Sequence, residues 1–181
     1  MEPHGLIYLS DYVPRDLRVR IDDFLKTCDF NIDGPSGRKV VQYGWLYDYT
    51  RKCVTTPLEP IPELLTELLK GIPEHNLIQC IINRYLPGEG IVAHTDSRDF
   101  GACIYCFTFG SGADMEFTRD GYPKYTLHPE PYSLYVMTGD SRYVWKHAMP
   151  RRKSDLVNGS KKQRNIRYSI TFRSLQTPTE T

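Results

Sequence analysis

From residue 77 onward the sequence alternates short runs of β-branched and aromatic residues with turns rich in glycine and proline. Candidate strands cover 77–85, 91–95, 103–109, 113–118, 133–137 and 165–172. The breaks between them include Pro87-Gly88-Glu89-Gly90, Gly110-Ser111-Gly112 and Asp120-Gly121. So many short strands imply a body built as a sandwich or barrel. The start of the chain reads differently. Leu17, Ile21, Phe24, Leu25 and Cys28 recur at helical spacing after Pro14, and a short helix over 63–70 follows Pro57, Pro60 and Pro62 and stops at Gly71. The expected class is α+β, and 181 residues suit one domain with a real core.

With 40% hydrophobic and 25% charged residues, the chain is neither disordered nor a disulfide scaffold. No apolar stretch approaches the ~20 residues that cross a bilayer, and no secretory leader pattern opens the sequence, so no membrane partner is expected. Five scattered cysteines suit free thiols in a reducing compartment, cytoplasmic or nuclear. Cys103 and Cys106 are three apart on a candidate strand, hence on opposite faces, and cannot share a metal.

The net charge of +1 hides an asymmetry. Between Arg142 and Arg173 ten basic residues face Asp155 alone, an excess of nine positive charges. A basic segment beside an acidic remainder predicts a polyanionic partner.

His94-Thr95-Asp96 sets an imidazole and a carboxylate on one side of an extended segment. His147 is the best third ligand, because His4 is near the terminus, His75 sits in a Pro-flanked turn and His128 adjoins Pro129, all read as surface residues. Two histidines and a carboxylate form the facial triad of non-haem Fe(II) oxygenases. In the last strand Arg167, Ser169, Thr171 and Arg173 alternate with apolar residues, so two guanidinium groups share one face, as bidentate recognition of a dicarboxylate requires. Asn83 and Tyr85 add hydrogen-bonding groups on one face of another strand. Tyr43, Trp45, Tyr47 and Tyr49 share one parity and are candidates to stack on bases.

The order and spacing of Asn83-Arg84-Tyr85-Leu86-Pro87-Gly88-Glu89-Gly90, His94-Thr95-Asp96, His147 and Arg167-Tyr168-Ser169-Ile170-Thr171-Phe172-Arg173 resemble the AlkB family of Fe(II)/2-oxoglutarate dioxygenases. The resemblance implies a double-stranded β-helix (jelly-roll) over 77–173, preceded by an extension and nucleotide-recognition lid over 1–76. It implies His94, Asp96 and His147 as iron ligands, and Asn83, Tyr85, Arg167 and Arg173 as 2-oxoglutarate contacts, with dioxygen as oxidant. Ser169 departs from the bacterial pattern, which has asparagine there.

The segment 136–147, with 150–155, resembles the branch of the family that hydroxylates a modified wobble uridine in tRNA. The expected activity is oxidative demethylation of N-alkylated bases in single-stranded DNA or RNA, releasing succinate, CO2 and formaldehyde. The alternatives are wobble-uridine hydroxylation, a protein hydroxylase or demethylase, and a non-catalytic nucleic-acid-binding module. Arg142, Arg151 and Arg152 join the four aromatics as candidate substrate contacts, and a monomer is expected.

Overall fold

A computed structural model describes residues 1–73 and 76–176. Two antiparallel sheets face each other. The larger has seven strands in the order Leu6–Leu9, Leu134–Met137, Phe100–Gly110, Arg167–Leu175, Gln79–Tyr85, Lys39–Tyr43 and Ile32–Asp33. The smaller runs Tyr125–Leu127, Met115–Thr118, Lys146–Met149 and Ile91–His94. This is the expected jelly-roll. Residues 1–76 also contribute three strands to the larger sheet, at both of its edges.

The alternation read in the last strand explains the layering. Ile170 and Phe172 point to one side of the larger sheet, joining Ile82, Phe107 and Phe109 under the helix Arg15–Thr27, which buries Leu17, Ile21 and Leu25. Each such aliphatic side chain contributes about 1.5–3 kcal/mol on burial. Asp16 in the first turn and Lys26 in the last complement the helix dipole. The expected second helix exists only as one α-turn, Glu63–Thr66, continued by the 3-10 turn Glu67–Leu69, and it adds Leu65 and Leu68 to the same core. The other face of the larger sheet meets the smaller one through Ile104, Met115, Phe117, Tyr135, Met137 and Trp145. The polar side chains of the alternating strands are left facing a space between the sheets.

Residues 38–49 do not form one continuous strand. Gly44 has φ +76°, and a Cβ there would lie 1.8 Å from the Ile78 carbonyl oxygen. The chain turns at this glycine, separating the sheet strand Lys39–Tyr43 from a hairpin, Trp45–Asp48 with Cys53–Pro57. None of the five cysteines is joined in a disulfide. Among the described residues no helix is long and apolar enough to cross a membrane.

Candidate active site

Strand pairing brings two histidines together. Lys146–Met149 runs antiparallel to Ile91–His94 with His147 opposite His94, and the imidazole centroids are 4.3 Å apart. Asp96 lies just past the second strand. Its Oδ1 is 3.5 Å from His94 Nε2 and 3.6 Å from His147 Nε2, so three donor atoms converge on one point. His94 Nδ1 donates to the Val92 carbonyl at 2.9 Å, which turns Nε2 towards that point.

The electrostatics suit a divalent cation. Burial, with His94 close by, pushes His147 down to about 3, so its imidazole is neutral at physiological pH. Burial alone would raise the Asp96 carboxyl, but the Arg173 guanidinium and the two histidines hold it well below the usual carboxylate range. A neutral imidazole and an ionised carboxylate are the forms that ligate metals. Two histidines and one carboxylate leave coordination positions open.

The arginines of the last strand turn inward. Arg173 donates from Nε to Asp96 Oδ2 at 2.9 Å and from Nη1 to Gln79 Oε1 at 3.1 Å. Arg167 is 3% exposed, and its guanidinium lies 5.6 Å from the centroid of the Tyr85 ring. It donates from Nη2 to Thr108 Oγ1 at 3.2 Å, yet its buried Nε has no partner. An unmet buried donor costs about 1–3 kcal/mol, and a carboxylate oxygen would meet it. Asn83 and Tyr85 stand on the adjacent strand opposite Ser169 and Arg167. These residues and the His94, Asp96, His147 set line one cavity of about 520 Å³. The site therefore has room and donors for one cation and one dicarboxylate.

Other expected contacts are placed differently. Tyr47 and Tyr49 line the cavity; the Tyr47 ring lies 5.4 Å from Tyr49 and 5.5 Å from Phe100, centroid to centroid. Tyr43 does not join them. It packs on the helix side of the larger sheet, where burial and the neighbouring Cys28 push its hydroxyl up to about 12. Trp45 lines a separate depression with Arg98 and Asp99. The shared parity fails twice, for Tyr43 because the chain turns at Gly44 and for Trp45 because the strand register shifts between Trp45 and Tyr47.

Arg142 is 2% exposed and is no substrate contact. Its guanidinium donates to the carbonyls of Asp96, Ser97, Phe100 and Gly101, fixing the loop beyond Asp96. Arg152 is likewise occupied, by Asp114, Glu116 and Asp155. Arg151 is exposed and donates from Nη2 to the Ser36 carbonyl at 2.8 Å. The basic segment thus spends half its charge inside: Arg142, Arg164 and Arg167 are buried, and Arg152 and Arg173 pair with carboxylates. Lys146, Arg151, Lys153, Lys161 and Lys162 remain exposed.

Sequence reading missed two features. Arg38, 4% exposed, lines the cavity and bonds through Nε to Asn83 Oδ1 at 2.7 Å. No sequence pattern marks it, since its partner is 45 residues away. The second feature corrects His128, which is no surface residue: its Nδ1 is 2.7 Å from Asp114 Oδ1 in a cluster with Asp155. Arg164 grips Asp155 at 2.6 Å through both Nε and Nη2, and Arg152 bonds Asp114. These carboxylates already hold guanidinium partners, so the cluster is a structural ion-pair network. His75 lies outside the described residues.

Comparison with known proteins gives the same picture. A family model, the 2OG-Fe(II) oxygenase superfamily, matches residues 31–173. The uncharacterized protein L905 of Acanthamoeba polyphaga mimivirus is 32% identical over 95% of this chain and 85% of its own length. The tRNA (carboxymethyluridine(34)-5-O)-methyltransferase alkbh8 of Xenopus tropicalis is 29% identical over 96% of this chain. The chain spans only 32% of that protein's length. The solved structure of OsALKBH1 superposes with a TM-score of 0.70 at 17% identity, covering 96% of this chain and 98% of that one.

Proposed function

The chain belongs to the 2OG-Fe(II) oxygenase superfamily, as an AlkB-type dioxygenase domain within it, and on that premise we propose that it oxidises a substituent on an unpaired nucleobase. The observation that carries this reading is one cavity with three parts: the converging His94, Asp96 and His147 donors, the inward arginines and the half-buried Tyr47 and Tyr49.

In this reading His94, Asp96 and His147 hold the iron, and Arg167, Tyr85, Asn83 and Arg173 hold 2-oxoglutarate. When bound, the pair would supply the oxidation: one oxygen atom of dioxygen would enter a substrate C–H bond, and the other would enter succinate as 2-oxoglutarate loses CO2. The chain's own groups do the rest. Arg173 orients Asp96, and Arg142 fixes the loop that carries it. Tyr47 and Tyr49 offer ring faces to a base. Lys52 and Lys146, exposed on the cavity's lining, attract the backbone phosphates. A base reaches such a cavity only unstacked, which favours single strands and loops.

An oxidised N-methyl group is lost as formaldehyde, whereas a carbon-linked substituent keeps its hydroxyl. The relatives named for tRNA carboxymethyluridine support the second outcome, on RNA. The test is to incubate the protein with Fe(II), 2-oxoglutarate and air on methylated single-stranded DNA, methylated RNA and tRNA carrying modified wobble uridines. Succinate and the masses of the recovered nucleosides are then measured. Gain of an oxygen or loss of a methyl in step with succinate is the expected result. Succinate with no nucleoside change, and turnover on a peptide, would contradict it.

A further inference from the structure

The hairpin Trp45–Asp48 with Cys53–Pro57 is a two-stranded sheet of its own. A lone pair of strands is marginally stable in water, so its anchors decide how often it opens. A side chain of the body ties down each strand. Gln42, 7% exposed on the adjoining sheet strand, makes the two bonds that a neighbouring strand would make to Tyr47. The Tyr47 amide donates to its Oε1 at 2.8 Å, and its Nε2 donates to the Tyr47 carbonyl at 3.1 Å. This anchor spans only five residues of chain. On the second strand the Val54 amide donates to Asp99 Oδ2 at 2.9 Å, across 45 residues.

Asp99 belongs to the loop that carries the metal ligand Asp96, three residues earlier. Its own amide donates to Ser97 Oγ at 3.2 Å, and its carbonyl accepts from the Gln176 amide at 2.7 Å, just past the strand that carries Arg173. The bond to Val54 therefore joins the hairpin to the metal loop. A cation held by Asp96 pins one end of that loop, and the Asp99 side chain at the other end is placed accordingly. When the loop moves, the Val54 N–H loses its acceptor and the second strand is released. Gln42 has no part in this, since it grips Tyr47 from the sheet.

We propose that Asp99 is a positioning residue that couples the metal site to the hairpin. A bound cation suppresses opening of the hairpin, and by reciprocity a closed hairpin tightens the cation. The hairpin carries Tyr47 and, in its turn, Tyr49, so loading the metal also sets that wall of the cavity. The coupling needs only the metal site and does not depend on what the substrate is.

The test is hydrogen exchange read by mass spectrometry on the full chain, with and without saturating Mn(II), in the absence of 2-oxoglutarate. Peptides within 45–57 are followed at times when the amides of the helix Arg15–Thr27 have not yet exchanged, so that global unfolding does not contribute. The expected result is that Mn(II) slows exchange in 45–57 by about fivefold or more, as typical couplings do. Asp99→Ala speeds metal-free exchange there and abolishes the Mn(II) effect, while the variant still binds its ion. Asp99→Asn, whose side-chain carbonyl can still accept from Val54, restores part of the effect. Gln42→Ala speeds exchange by the same factor with and without Mn(II), because its anchor bypasses the loop. Wild-type exchange in 45–57 that ignores bound Mn(II) overturns the proposal, and needs no variant that folds. So does an Asp99→Ala protein that keeps the full Mn(II) effect.

Discussion

Arg173 Nε donates to Asp96 Oδ2 at 2.9 Å, and the other oxygen of the same carboxylate faces both His94 and His147. One guanidinium therefore does two things. It keeps the carboxylate ionised, and it fixes which oxygen points at the convergence of the histidines. Groups that orient metal ligands in this way are typically worth 10–100-fold in affinity. Arg173→Met should weaken Mn(II) binding by about that factor, read by calorimetric titration without 2-oxoglutarate. Unchanged affinity would show that Asp96 needs no such support.

Arg142 predicts a loss of a different kind. Its guanidinium satisfies four backbone carbonyls in the loop after Asp96. Hydrogen bonds from a charged donor contribute about 1.5–3 kcal/mol each, though not additively. Arg142→Met should destabilise the fold by roughly 3–5 kcal/mol in urea unfolding, a range set by buried network losses. A variant of wild-type stability that binds RNA poorly would return Arg142 to the substrate surface.

Much of the body was legible in the sequence because strand alternation and turn residues are local signals. The six candidate strands all exist, each within a few residues at either end. His94-Thr95-Asp96 stood out for the same reason. What stayed hidden depends on which way a charge turns. Ten basic residues in one window resemble a binding surface, and nothing local shows that Arg142 caps a loop or that Arg164 grips Asp155. Arg38 went unseen because its site is assembled from distant strands. Tyr43 was misplaced because the chain turns at one left-handed glycine, Gly44, and Trp45 because the strand register shifts between Trp45 and Tyr47.

Asp155 gives a pH dependence with a definite sign. Burial would raise its carboxyl, but the bidentate Arg164, with Arg152 nearby, holds it below the ordinary value. A folded pKa depressed below the unfolded one, about 3.9, stabilises the protein above that value. That stability is lost as pH falls through the folded pKa. Denaturant midpoints of wild type and Asp155→Asn should differ most from neutral pH down to about 5, and converge as pH falls below about 4. A constant gap across that range would contradict the ion pair's role.

Tyr47 tests the substrate side of the cavity. Its ring lies on the cavity's lining, 5.4 Å from Tyr49 and 5.5 Å from Phe100, centroid to centroid. Tyr47→Ala removes one stacking face, worth about 1–3 kcal/mol per base. RNA affinity should fall about tenfold or more, with the apparent KM for 2-oxoglutarate unchanged. A rise confined to the KM for 2-oxoglutarate would move Tyr47 to the cosubstrate side.

The central claim is that His94, Asp96 and His147 hold one metal, and that Asp114, His128 and Asp155 hold none. Counting Mn(II) ions bound per chain tests it directly, in wild type, Asp96→Ala and Asp114→Asn. The account predicts one ion, none and one. An ion retained at full affinity by Asp96→Ala, or lost by a folded Asp114→Asn, would contradict it.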